Sequence, residues 1–384
     1  MKVPFLDLSV PSEERAYIHQ AIDKVLEHGK YALGPEVVEL ENTFARHCGK
    51  KFAVGVNSGT DALFLSLKAL EIGTGDEVIT TSLSWIATAG AISLTGATPV
   101  FADIKEDLNI DPISVEALIT SKTKAILPVH FTGKICDMQA LMRLAKKHQL
   151  AIVEDGAQAF GATFEGRSAG SFGMFGCFSM NPWKIYGGYG EAGMIVTDEE
   201  DYYQKLLALR CNGIVNKETC IANGVNSRLD TIQAAILLQK FKGIDAKIAK
   251  RREMATYYHQ KLSPYVHVPL ENPNQKDIYY TYQIQTSKRD ALKAFLENKG
   301  IETKIQHPIL MCRQPIYDSF RSSSSNAEKI VEKILCLPIQ ERLSKEQQDH
   351  VVESIALFFN DYAISNNKDS HRFSNDTCLL NNYK

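Results

Sequence analysis

No stretch of this 384-residue chain holds the roughly 18 consecutive apolar residues that a membrane-spanning helix needs, and Met1-Lys2-Val3-Pro4-Phe5 lacks the long apolar core of a secretory signal. Excess charge of one sign is also missing. The chain has 43 Lys and Arg against 45 Asp and Glu, a formal net charge of −2, and neither a basic run nor a basic stripe interleaved with aromatics. A nucleic-acid or anionic-membrane surface is therefore not expected. The eight cysteines form no CxxC pair and the ten histidines no HExxH motif. No metal site is expected, and the thiols are read as reduced and mostly structural. These absences predict a cytoplasmic protein that works on a small molecule. With 44% hydrophobic and 23% charged residues, the composition is that of a globular chain long enough for two domains with cores of their own.

Apolar periodicity predicts amphipathic helices over Glu13 to Leu26 and Glu36 to His47, separated by Gly29 and Gly34-Pro35. From Phe52 onward strand and helix alternate. Phe52 to Val56 precedes a helix near Asp61 to Leu70; Glu77 to Thr80 precedes one beginning at Trp85; Thr98 to Phe101 leads to Asp103. Ala125 to Val129 precedes a helix near Met138 to His148, followed by strands at Ala151 to Asp155 and Met194 to Thr197. Continuous apolar strands separated by helices predict an α/β fold with a mainly parallel sheet covered on both faces. The alternation gives way to one long helical stretch from Leu229 through Arg251 to Leu262. The expected division is a large domain over 1–245, a smaller C-terminal α+β domain over 246–364, and a polar, disordered tail over 365–384.

Lys184 stands in Ser179-Met180-Asn181-Pro182-Trp183-Lys184, ahead of the glycine-rich run Gly187 to Gly193. A lysine on an apolar-flanked turn before a buried strand is placed to work as an amine nucleophile. Ala151-Ile152-Val153-Glu154-Asp155 ends in a carboxylate and is followed by Gly156-Ala157-Gln158. This pairing suits pyridoxal 5'-phosphate (PLP): the lysine forms a Schiff base and the aspartate pairs with the pyridinium nitrogen. Taken singly, each has an ordinary alternative, a surface charge and a helix cap. Asn57-Ser58-Gly59-Thr60-Asp61-Ala62-Leu63 lies between a strand and a helix, where glycine allows close approach and free amides attract a phosphate. Ser58 or Thr60 could equally serve as a simple cap. Ser179 could add a hydroxyl to the phosphate, and Trp85, among Ser82, Ser84 and Thr88, offers a face on which a pyridine ring can stack.

These segments, with Gly75-Asp76-Glu77-Val78-Ile79, Val153 to Ala159 and Asn226-Ser227-Arg228-Leu229-Asp230-Thr231-Ile232-Gln233-Ala234-Ala235, resemble the DegT/DnrJ/EryC1/StrS family. The likeness runs from about Pro4 to Ile355. It implies PLP fold type I, the aspartate aminotransferase-like architecture, and amination of a nucleotide-linked keto sugar with L-glutamate as the donor. By the resemblance Asp155 keeps the ring nitrogen protonated, Gln158 lies near the phenolic oxygen and Lys184 carries the cofactor. Gly59, Thr60 and Ser179 bind its phosphate, Trp85 stacks on its ring, and Asn226 reaches the phosphate held by the other subunit of a homodimer with shared sites. Tyr31 and His307 are the candidate substrate contacts; loop packing is the alternative for His307, and helix capping for Asn226. The chain departs from common family patterns at His130-Phe131-Thr132-Gly133 and at Gln306-His307-Pro308, both expected on the sugar side. The spacing from Lys184 to Gly190-Glu191 resembles the branch that aminates sugar C3 rather than C4. The product would be an amino sugar for surface glycans such as lipopolysaccharide O-antigen, or for a glycosylated metabolite. Two other readings are a sugar dehydratase of the same fold, in which histidine replaces the lysine, and a non-catalytic regulatory homologue.

Overall fold

The computed structural model describes residues 1–376, with side chains through residue 361. Two helices lead in. α1 (Ser12–His28) ends at Gly29, whose φ of 67° makes the left-handed turn that closes a helix. α2 (Pro35–Cys48) opens with proline in its first turn, where the missing N–H costs nothing. The alternation then proceeds as β1 (Phe52–Val56), α3 (Gly59–Ala69), β2 (Glu77–Thr81), α4 (Ala87–Leu94), β3 (Thr98–Ala102), α5 (Pro112–Leu118), β4 (Thr123–Leu127), α6 (Met138–His148) and β5 (Ala151–Asp155). The short strands β6 (Thr163–Phe164) and β7 (Arg167–Ser168) pair with each other before β8 (Phe175–Ser179) and β9 (Gly193–Thr197). Next come α7 (Glu200–Leu209), the hairpin of β10 (Ile214–Val215) and β11 (Thr219–Cys220), then α8 (Thr231–Phe241) and α9 (Ile244–Leu262).

Seven strands form one sheet in the order β1-β9-β8-β5-β4-β2-β3. Every pair from β8 to β3 is parallel, and β9 alone runs against both its neighbours. The reversal has a local cause: Ser179 and Gly193 are joined by the Lys184 loop, with no crossover helix to return the chain in parallel. Side-chain alternation feeds two cores. Ile79, Ile126, Met194 and Val196 enter the core beneath α2 and α8, whereas Val78, Leu127, Val153 and Ile195 face α3. The same alternation sends Glu154 and Asp155 to opposite faces.

The helical stretch expected from Leu229 to Leu262 is interrupted: Gly243 separates α8 from α9. α9 spans the two cores, giving Ile248 to the sheet core and Tyr258 and Leu262 to the second one. That second core is built on the antiparallel pair β13 (Tyr282–Gln285) and β14 (Ile334–Leu337), on α10 (Arg289–Asn298) and on α12 (Lys345–Asp376); β12 (Gln275–Lys276) pairs with β6, and α11 (Ser325–Val331) packs Ala327 and Ile330 in a separate cluster with Phe101 and Leu310. Val3 enters the second core and bridges Ile301, so the first residues of the chain pack with its C-terminal part. Of the segment 365–384 expected to be a tail, 365–376 continue the backbone of α12, and 377–384 lie outside the described residues.

Candidate active site

Asp155 ends β5 only 4% exposed. Its Oδ1 accepts from Ala157 N–H at 3.1 Å and its Oδ2 from Thr88 Oγ1 at 2.9 Å. Ser84 lies 3.2 Å from Thr88 and extends the chain of hydroxyls. Burial pushes the Asp155 carboxyl up from its ordinary value, while those two hydrogen bonds and the charge of Lys184 act against it. A cationic partner would favour the anion of a carboxylate buried this deeply, and a protonated pyridine would provide one. Lys184 lies across from it on the β8–β9 loop, its backbone held by Lys184 N–H to Asn181 carbonyl at 2.9 Å. Its Nζ sits 4.9 Å from the centroid of the Tyr280 ring, a cation–π contact.

At the head of α3, Ser58 is the cap: its Oγ accepts from Asp61 N–H at 3.1 Å. The amides of Gly59 and Thr60 open the first turn, where no helix carbonyl can reach them. Capping thus falls to Ser58, and the Gly59 and Thr60 amides are left for another partner. A Cβ on Gly59 would come within 2.6 Å of Ser179 Cβ, so glycine is what lets the Ser179 hydroxyl close on these amides. Amides, hydroxyls, a buried carboxylate and a lysine form a donor set that fits a phosphorylated pyridine aldehyde.

Gln158 is buried, and its Oε1 accepts from Thr132 N–H at 2.9 Å, which leaves its amide nitrogen for another partner. Trp85 is 62% exposed, just ahead of α4 rather than inside it. His307 lies between Trp85 and Phe131, with ring centroids at 5.9 and 5.7 Å. Burial and the nearby cations Lys184 and Lys304 push its imidazole down to about 4. His307 is therefore a neutral ring facing the Lys184 cluster. Of the other expected sugar-side segment, Phe131 faces His307, but His130 turns away. Its Nδ1 accepts from Cys136 N–H at 3.2 Å, which puts the ring proton on Nε2, 2.8 Å from Glu154 Oε2. Glu154 also accepts from the amides of Gly170, Phe172 and Gly173, so both of its buried oxygens are hydrogen-bonded.

Two expected site residues stand apart from this cluster. Tyr31 is 53% exposed and is held through its carbonyl, which accepts from Thr231 N–H at 2.9 Å. Asn226 is exposed, its Oδ1 accepting from Arg228 Nε at 3.0 Å. It does not cap the following helix, because α8 starts at Thr231 with Asp230 at the cap. Thr88 and Tyr280 were not singled out as site residues. Thr88 lies one helical turn after Trp85 in the same polar stretch, and that spacing could have found it. Tyr280 reaches Lys184 only through the tertiary fold, so no local signal marks it.

The family model for DegT/DnrJ/EryC1/StrS aminotransferases matches residues 12–356. A Geobacillus stearothermophilus protein named pleiotropic regulatory protein is 40% identical, across 94% of this chain and 100% of its own length. The dTDP-3-amino-3,6-dideoxy-alpha-D-galactopyranose transaminase of Aneurinibacillus thermoaerophilus is 39% identical, across 92% and 98%. The crystal structure of ntda from Bacillus subtilis with bound cofactor PMP superposes with a TM-score of 0.88 at 30% identity, covering 94% of this chain and 85% of that one. This chain belongs to the DegT/DnrJ/EryC1/StrS aminotransferase family, and its cofactor is pyridoxal phosphate.

Proposed function

We propose that this sugar-nucleotide aminotransferase moves an amino group from L-glutamate to C3 of a nucleotide-linked keto sugar, as a homodimer whose two sites are shared. The observation that carries the reading is the buried Asp155, held by Thr88 and Ala157 opposite Lys184, with Trp85 and His307 beside it. Bound PLP supplies an electron sink for the charge left when the donor's Cα proton departs. Asp155 holds a negative charge where the ring nitrogen must stay protonated, and Thr88 and Ala157 fix that carboxylate's orientation. Lys184 Nζ would act as the base that takes the Cα proton and gives it back. Gly59, Thr60 and Ser179 would hold the phosphate of the cofactor, and Gln158 and Trp85 its ring.

The C3 assignment rests on the Lys184-to-Gly190-Glu191 spacing and on the name of the Aneurinibacillus relative. His307 and Tyr31 are assigned to the sugar nucleotide, and Asn226 to the cofactor phosphate of the partner subunit. The seven described cysteines are free, which suits a reducing cytoplasm. Lys184 argues against the dehydratase reading, and the presence of both Lys184 and Asp155 against a purely regulatory role. A glutamate-dependent assay against 3-keto and 4-keto nucleotide sugars, with product regiochemistry by NMR, tests the proposal. A C3 amino sugar is expected; amination of the 4-keto sugars alone would overturn the C3 assignment.

A further inference from the structure

A second cavity, of about 700 Å³, lies behind β13 and the bend before it that carries Tyr280. Asp277, Tyr279, Thr281, Gln283 and Gln285 line it. The alternate residues Ile278, Tyr282 and Ile284 are core, and Tyr280 faces Lys184. β13 and the bend leading into it, where Tyr279 takes a φ of 50°, thus turn a mainly polar face toward the cavity, the Tyr279 ring also packing in the second core. Such a face ordinarily meets water, yet Asp277, Tyr279, Thr281 and Gln283 are only 3%, 5%, 6% and 3% exposed.

Buried polar groups call for partners. Asp277 Oδ1 and Gln283 Oε1 have none among the described residues, and both are acceptors. The other Asp277 oxygen is 3.8 Å from Lys134 Nζ, which itself donates to Leu270 carbonyl at 2.6 Å. Burial accordingly pushes the Asp277 carboxyl up to about 7. The facing wall contributes Glu106, Asp107 and Asp111 against Lys105. Asp103 is already occupied by the amides of Asn326 and Ala327 at the start of α11. No group of three His, Cys, Asp or Glu side chains converges to hold a metal ion among the described residues. The two lysines on the walls are already engaged, Lys105 at 3.8 Å from Asp107 and Lys134 with Asp277 and the Leu270 carbonyl, so acidic side chains and open acceptors outnumber positively charged donors over a space larger than one ion.

We propose that this cavity is a second ligand site that takes a small hydroxylated primary amine as its ammonium cation, its N–H and O–H groups donating to Asp277 and Gln283. The acidic wall rejects phosphorylated and nucleotide-linked amines, so the ligand is neither substrate nor product of the Lys184 site. Its occupant stands across the segment that carries Tyr280 from the reacting amine. Titration calorimetry with glucosamine tests this on the enzyme in its pyridoxamine phosphate form, which has no aldehyde for an amine to attack. One saturable site per chain is expected, with N-acetylglucosamine and glucosamine 6-phosphate each at least tenfold weaker. Asp277→Asn and Gln283→Leu should each weaken glucosamine at least tenfold; if the first variant fails to fold, the second decides. Absence of saturable binding, equal binding of either comparison sugar, or unchanged affinity in the folded variants would overturn the proposal.

Discussion

In the proposed reaction two residues, Lys184 and Asp155, do the chemistry, and a third sets how well one of them works. Removing the amine in Lys184→Ala should abolish transamination and the borohydride-trappable linkage while the protein still binds PLP; retained turnover would overturn the assignment. Thr88 touches Asp155 through one hydrogen bond to a buried charge, worth about 1.5–3 kcal/mol. Thr88→Val should therefore slow the single-turnover reaction with glutamate by roughly ten- to a hundredfold, and Asp155→Asn by more. His307 offers a test by pH. Its folded value of about 4 lies below the ordinary 6.5, so between these limits the unfolded chain binds more protons and stability rises with pH. The stability from the neutral ring is present above pH 6.5 and is lost as the pH falls through about 4. His307→Gln should flatten that slope in melting temperatures measured across the window, whereas parallel profiles would show that His307 is not held neutral.

The elements that form the phosphate cup work by close approach. Gly59→Ala puts a Cβ 2.6 Å from Ser179 Cβ, an overpacking that costs about 1–3 kcal/mol. It should lower PLP affinity about ten- to a hundredfold in a spectroscopic titration with secondary structure unchanged; wild-type affinity would mean that the turn does not hold the phosphate. The strands of the sheet were legible because each is a short apolar run between turn residues, and the motifs on their ends marked Asp155, Gly59 and Lys184. The direction of β9 was not legible, because an apolar run reads the same in either orientation. The break between α8 and α9 was missed because helical periodicity continues across Gly243. Trp85 meets His307, and Tyr280 meets Lys184, only through the tertiary fold, which no local pattern encodes.

At the scale of the whole molecule, the open question is which cofactor Asn226 serves. Its neighbour Ser227 donates to Asp61 Oδ2 at 2.7 Å and accepts from Asn57 N–H at 3.1 Å, both beside the phosphate cup of the same chain. Asn226 itself points outward, its Oδ1 taken by Arg228, with no partner for its Nδ2 among the described residues. The nearby hairpin exposes Ile214 and Ile221, apolar groups suited to burial against a second copy. Heterodimers of Lys184→Ala and Asn226→Ala subunits separate the two possibilities. If Asn226 reaches across, one site carries both defects and the other neither, so activity should return to about half of the wild-type value by counting sites. If Asn226 serves its own chain, each site carries one defect and no site is intact. Verified heterodimers without recovery, or an active wild-type monomer, would overturn the shared site.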